Sequence, residues 1–174
     1  MVVQGQADAT FGFSSTTVLN MVQAGVPEEE VTYFTMAQYG LKPYSSSIIV
    51  RKDYAAENPD IVKGFVAATV KGMIDMLNDP DAGIALLKKQ EPLIDVEIET
   101  ARWYLAEELA ILTPEVVKNG ISVVDRERYE TAATQVAGAF DLPITPNMDD
   151  YYDSSFLPPL EMRHIPQAVK DRLK

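Results

Sequence analysis

The residues best suited to chemistry lie near the start of the chain, where Gly12-Phe13 runs into Ser14-Ser15-Thr16-Thr17. Hydroxyls at the opening of a helix stand beside backbone N–H groups that have no intrahelical acceptor. The helix dipole favours negative charge there, so such a turn can hold an anion or a polar ligand. The same residues also suit plain N-capping, with Ser14 or Ser15 accepting from the first turn. Phe11 and Phe13, alternating with Gly12, point to one side as core or as the wall of a cleft. A second mixture follows in Gln38-Tyr39-Gly40 and Tyr44-Ser45-Ser46-Ser47. Amides, hydroxyls and aromatic rings together are what a concave small-molecule site uses, and a solvated loop has the same polar content.

Catalytic chemistry finds less to work with. Gly12-Phe13-Ser14-Ser15-Thr16 lacks the second glycine of the G-x-S-x-G elbow, and a serine nucleophile needs a base within hydrogen-bond reach. The single histidine, His164, sits in Met162-Arg163-His164-Ile165-Pro166, where a surface or packing role is the plain reading. Asp149, Asp150 and Asp153 miss the spacing and terminal glutamate of a calcium loop, and the absence of cysteine removes thiolate metal sites. The expectation is a binding protein rather than an enzyme, with no cofactor and no metal.

Those residues need elements to hold them. After the glycine turn at Gly5, the segment around Phe11 reads as β-prone. It leads into a helix with Val18, Leu19, Met21 and Val22 on its buried face, stopped by Gly25 with Pro27 beyond. Residues 31–35 and 47–50 are rich in β-branched and aromatic side chains and predict two strands. Asn58 and Pro59 then open a helix whose apolar face is expected to hold Ile61, Phe65, Ala68, Val70, Met73, Ile74 and Leu77. Helices over 81–89 and 96–111 and a short one from Thr113-Pro114 to Gly120 come next. A last long helix, capped by Asp125, has Tyr129, Ala132, Val136 and Phe140 on its inner side. The apolar period changes from about 2 to about 3.6 near residue 50, which predicts an α/β fold with strands early and helices late.

Composition excludes several classes. A net charge of −11, with no cluster of Lys and Arg to offset it, would repel a phosphate backbone and argues against nucleic acid. Every apolar run is broken by a charge or a proline well short of the roughly 20 residues that a membrane-spanning helix needs.

Several short motifs in order resemble a known family. They are Gly5-Gln6-Ala7-Asp8-Ala9 before Phe11-Gly12-Phe13, Gln38-Tyr39-Gly40-Leu41 with Tyr44-Ser45-Ser46, and Glu57-Asn58-Pro59-Asp60. Asp79-Pro80-Asp81-Ala82, Asn119-Gly120-Ile121 with Val124-Asp125, and Tyr152-Asp153-Ser154-Ser155-Phe156-Leu157-Pro158 complete the set. Together they are similar to the periplasmic nitrate, taurine and sulfonate substrate-binding proteins of ABC importers, a group that includes binders of thiamine-pyrimidine precursors. The resemblance implies the C-terminal portion of a two-lobed periplasmic-binding-protein (type II) fold. Residues about 1–46 would form part of the second lobe, residues about 47–174 a crossover strand and first-lobe helices, and the remainder would precede Met1. It further implies that Phe13, Ser14, Ser15, Gln38 and Tyr39, with Tyr44 and Ser46, contact a small polar or anionic ligand, while Asp8 serves the fold. Its partners would be that ligand and a membrane permease, in a periplasmic location. Faces normally covered by preceding elements would drive the chain to pair as a homodimer. Two alternatives stand beside it: a non-transport interaction or sensory module, and an enzyme like the thiamine-pyrimidine synthases of the same superfamily, which consume a histidine.

Overall fold

A computed structural model of the chain describes residues 1–172. The described residues fall into two compact units. Unit 1 comprises residues 1–33, 75–118 and the segment from Pro166, and unit 2 comprises residues 34–74 and 119–165.

The helices of unit 1 start where the sequence supplies caps and stops. Helix α1 (Ser14–Gln23) ends in a Schellman turn, Gly25 at φ 92° donating to Val22 O and Val26 to Met21 O. Its start differs from expectation: Phe13 holds the N-cap position, no side chain caps the turn, and Ser14 is already helical. In unit 2, helices α2 (Lys52–Glu57) and α3 (Pro59–Asn78) meet at Asn58, whose side chain donates to Tyr54 O. Residues of α3 from Asp75 onward belong to unit 1. Helix α4 (Pro80–Gln90) is capped by Asp79 accepting from Ala82 N, with Pro80 at the first helical position. Asp95 caps α5 (Val96–Ala106) by accepting from Glu97 N and Ile98 N. Helix α5 packs on both α1 and α4 and runs directly into a π-helical turn, Glu107–Ile111. The short α6 (Pro114–Asn119) follows. In unit 2, α7 (Arg126–Ala139) is capped by Asp125, as its sequence predicts. In unit 1, α8 (Gln167–Arg172) closes the order.

The α/β expectation is overturned. Among the described residues there is no strand: 31–35 and 47–50 join no ladder, and the segment around Phe11 forms none either. The physical reason lies in what β-propensity measures, which is fit to a pleated, half-buried surface rather than an intrinsic backbone preference. Without a neighbouring strand to exchange hydrogen bonds, a β-rich segment has nothing to pair with. Ile49 is accordingly 91% exposed, and no backbone N–H or C=O from Ser45 to Val50 is hydrogen-bonded.

The apolar stripe of α3 also differs, by one residue in its first half. Val70 and Leu77 are buried as expected, but toward the start Val62 and Val66 are buried against Ala55, with Phe156 and Leu157 packed on them, while Ile61 and Phe65 are largely exposed. Both sets repeat at helical spacing, so the sequence offered two adjacent stripes and packing selected the β-branched one. On α7 Ala132 is buried as expected, joined by Ala137, while Val136 and Phe140 are exposed. Small side chains let the α7 backbone approach its neighbours, and Phe140 is left exposed at its C-cap. No helix of the described residues is long and apolar enough to cross a membrane.

Candidate functional site

Unit 1 carries Phe13, Ser14 and Ser15 together on the first turn of α1. Phe13 is extended (φ −70°, ψ 131°) and its carbonyl accepts from Thr16 N and Thr17 N at 2.9 and 2.8 Å. No side chain caps this turn, and the N–H groups of Ser14 and Ser15 make no hydrogen bond. Ser14 and Ser15 are half-buried, and exposed Phe11 and Phe13 flank them. Gly12 lies so close to the Thr17 hydroxyl that a Cβ there would collide with it, which fixes the approach to the helix. From α5, Arg102 donates to Ser15 O at 3.2 Å while Glu99 accepts from its Nε at 3.1 Å. The turn thus combines free N–H donors, two hydroxyls and a guanidinium anchored at its rim. It is suited to receiving negative charge.

Unit 2 holds the other four residues. Gln38 and Tyr39 lie on one 3-10 turn, Met36–Tyr39. The Gln38 side chain is engaged there: its Oε1 accepts from Thr35 N at 2.8 Å, and the Thr35 hydroxyl returns the contact in a capping box. Tyr39 is exposed and meets Phe34 edge to face with ring centroids 6.1 Å apart. Tyr44 is half-buried and tied to α7. Its hydroxyl accepts from Asp125 N at 2.8 Å, and the Arg128 guanidinium lies over its ring at 4.1 Å. Arg128 also donates to Lys42 O and Pro43 O, so the Tyr44 loop is bound to the start of α7 from both sides. Ser46 is exposed in the unpaired run.

Two of the remaining motifs, those at Asn119-Gly120-Ile121 and Tyr152 to Pro158, meet in unit 2 at Arg163, a residue that sequence reading passed over. Its Nε donates to Pro158 O at 2.9 Å and its Nη1 to Ile121 O at 3.0 Å, while its own carbonyl accepts from Ile121 N at 2.8 Å. Tyr152 donates to Ser122 O at 2.8 Å, and burial raises its phenol above the ordinary range, keeping it a donor. Asp153 is held below the usual carboxylate range by the hydroxyl and backbone N–H of Ser155. Beside these residues a shallow groove of about 450 Å³ runs along α3, lined by Lys63, Gly64, Ser155, Phe156, Pro158 and Met162. No motif signals these arginines. A lone Arg within a polar segment looks like a solvated charge, and only the fold reveals the carbonyls it collects.

His164 is exposed, and its backbone N–H donates to Leu160 O. Among the described residues no group of three or more His, Asp or Glu side chains is placed to hold a metal ion.

Comparison with known proteins found no match among curated proteins and none among solved structures. A family model described as NMT1/THI5 like matches residues 1–83, a stretch that contains all seven candidate ligand contacts. Those 83 residues are similar to the NMT1/THI5-like family, the family of the nitrate, sulfonate and taurine substrate-binding proteins of ABC importers and of THI5.

Proposed function

We propose that this chain is the ligand-capturing part of a periplasmic solute-binding protein that serves an ABC permease, and that it works without catalysis. The observation that carries this reading is the uncapped first turn of α1, where Ser14 and Ser15 present hydroxyls and unbonded N–H groups inside the family-matched stretch. A helix start without a cap is normally satisfied by water or a ligand, and its dipole selects a small polar or anionic one such as nitrate, taurine, another sulfonate or a pyrimidine precursor. The net charge of −11 does not oppose this, because local donors set the field that a small ligand meets at close range. Gln38, Tyr39, Tyr44 and Ser46 are the further contacts in this reading.

Titration calorimetry with nitrate, taurine, an alkyl sulfonate and an aminopyrimidine is the test. Saturable binding of at least one is expected, weakened about tenfold in Ser14→Ala/Ser15→Ala, since each hydrogen bond to a charged group contributes about 1.5–3 kcal/mol, part of which the backbone donors retain. Heat from none of the four, or affinity unchanged in the variant, would refute the assignment. Chemical turnover of the bound ligand, followed by NMR, would refute its non-catalytic part.

We also propose that the chain pairs as a homodimer. Phe11, Phe13, Phe34 and Ile49 are all exposed, and symmetric dimers are the commonest way to cover such surface. Repulsion between acidic copies is screened beyond about 8 Å at physiological salt, whereas apolar burial is not. Light scattering across a micromolar dilution series should give twice the chain mass. A folded monomer throughout would dispose of this pairing.

A further inference from the structure

In unit 1, the Arg172 side chain ties helix α8 to two other segments. Arg172 Nη2 donates to Leu77 O at 2.6 Å and to Glu107 Oε1 at 3.2 Å. A helix of six residues does not hold itself together in water, so α8 persists through its contacts, among them those of Arg172 and of Val169, which is 1% exposed. The partner that Arg172 grips is unusual. Glu107 opens the π-helical turn and is the only charged residue buried among those described, at 6% exposure. Its pairing is incomplete. The contact is longer than the roughly 2.7–2.9 Å of a good charge-assisted bond, and Glu107 Oε2 has no hydrogen-bond partner. One turn earlier on α5 the buried indole nitrogen Trp103 Nε1 is also without a partner.

We propose that α8 is a strap that opens and closes over Glu107, a local conformational switch whose closed form is opposed by the burial of that carboxylate. Closing the strap takes Glu107 out of water and leaves a carboxylate oxygen unsatisfied, both of which cost free energy. In return it buries Val169 and satisfies Leu77 O. Gains and costs of similar size leave the strap among the least stable parts of its unit, opening without the rest. Opening hydrates Glu107 and frees the π turn to rewind.

This makes the two ends of one ion pair act in opposite directions. In Arg172→Gln the buried carboxylate loses the one countercharge it has among the described residues, so the open form gains. In Glu107→Leu the charge that resists closing is gone, Arg172 keeps Leu77 O, and its remaining donors, on a side chain 41% exposed, turn to water. An ordinary stabilising salt bridge would weaken the helix from either end.

Hydrogen exchange of the α8 amides, read against those of α4 and α5, distinguishes the two. Expected is exchange about tenfold faster in Arg172→Gln and several-fold slower in Glu107→Leu, with α4 and α5 unchanged. The only tryptophan, Trp103, reports independently, its emission shifting to the red in Arg172→Gln and to the blue in Glu107→Leu. Faster α8 exchange in Glu107→Leu, or α8 exchanging only together with α4 and α5 in the unaltered protein, overturns the proposal. The latter measurement needs no variant and stands even where Arg172→Gln fails to fold.

Discussion

Leu77→Ala is expected to destabilise the protein by roughly 4 kcal/mol, the upper part of the range for emptying a fully buried leucine site. Leu77 is 0% exposed, the deepest side chain described, and it lies in the α3 segment that belongs to unit 1. Truncation removes transfer free energy and leaves a cavity around which the surrounding side chains relax only partly. Its carbonyl is the acceptor for Arg172, so a shift of the backbone there would also disturb α8. Urea unfolding followed by circular dichroism measures the effect, and Phe65→Ala is the control. That ring is 61% exposed although its sequence position looks equally apolar, so its loss should cost about 1 kcal/mol or less. Equal costs at the two positions would show that the buried stripe of α3 is not the one described.

Gly120→Ala should cost about 3 kcal/mol, combining a backbone penalty with a collision. Gly120 sits at φ +88°, where an L side chain is strained. A Cβ there would stand 2.9 Å from the Arg163 carbonyl oxygen, the atom that accepts from Ile121 N. Relief by moving Arg163 would break its bonds to Pro158 O and Ile121 O, so the collision cannot be relaxed locally. Gly138→Ala is the matching control, since it lies within α7 with open space around it and should stabilise by about 0.5–1 kcal/mol. Thermal unfolding of both variants gives the comparison. A neutral Gly120→Ala would mean that the Arg163 junction does not form.

The helices were legible in the sequence because their boundaries are chemical and local. Asp79, Asp95 and Asp125 cap where a short acceptor precedes an apolar period, and Gly25 and Gly120 stop where a positive φ is needed. Which side of a helix is buried was less legible, because Ile61-Val62 and Phe65-Val66 put two apolar residues side by side and only neighbours from distant sequence decide between them. The strands were misread for a related reason. Val31 to Thr35 and Ser47 to Val50 have the composition of strands, but a strand is a relation between two segments and a single segment cannot report its partner. Of the candidate contacts, the turn at Ser14 and Ser15 follows from a local pattern. The binding of Tyr44 to Asp125 and Arg128 joins residues more than 80 positions apart, and nothing near Tyr44 announces it.

The run from Ser45 to Val50 has one more consequence. It is exposed along its length, contains neither proline nor glycine, and has no backbone hydrogen bond to give up. A protease takes its substrate as an extended segment threaded through a cleft, and most folded segments resist because they must first be unwound. Here no unwinding is required. Elastase-like enzymes, whose small apolar pocket accepts side chains such as Val50, would meet a ready substrate there, and the first nick would fall just before α2.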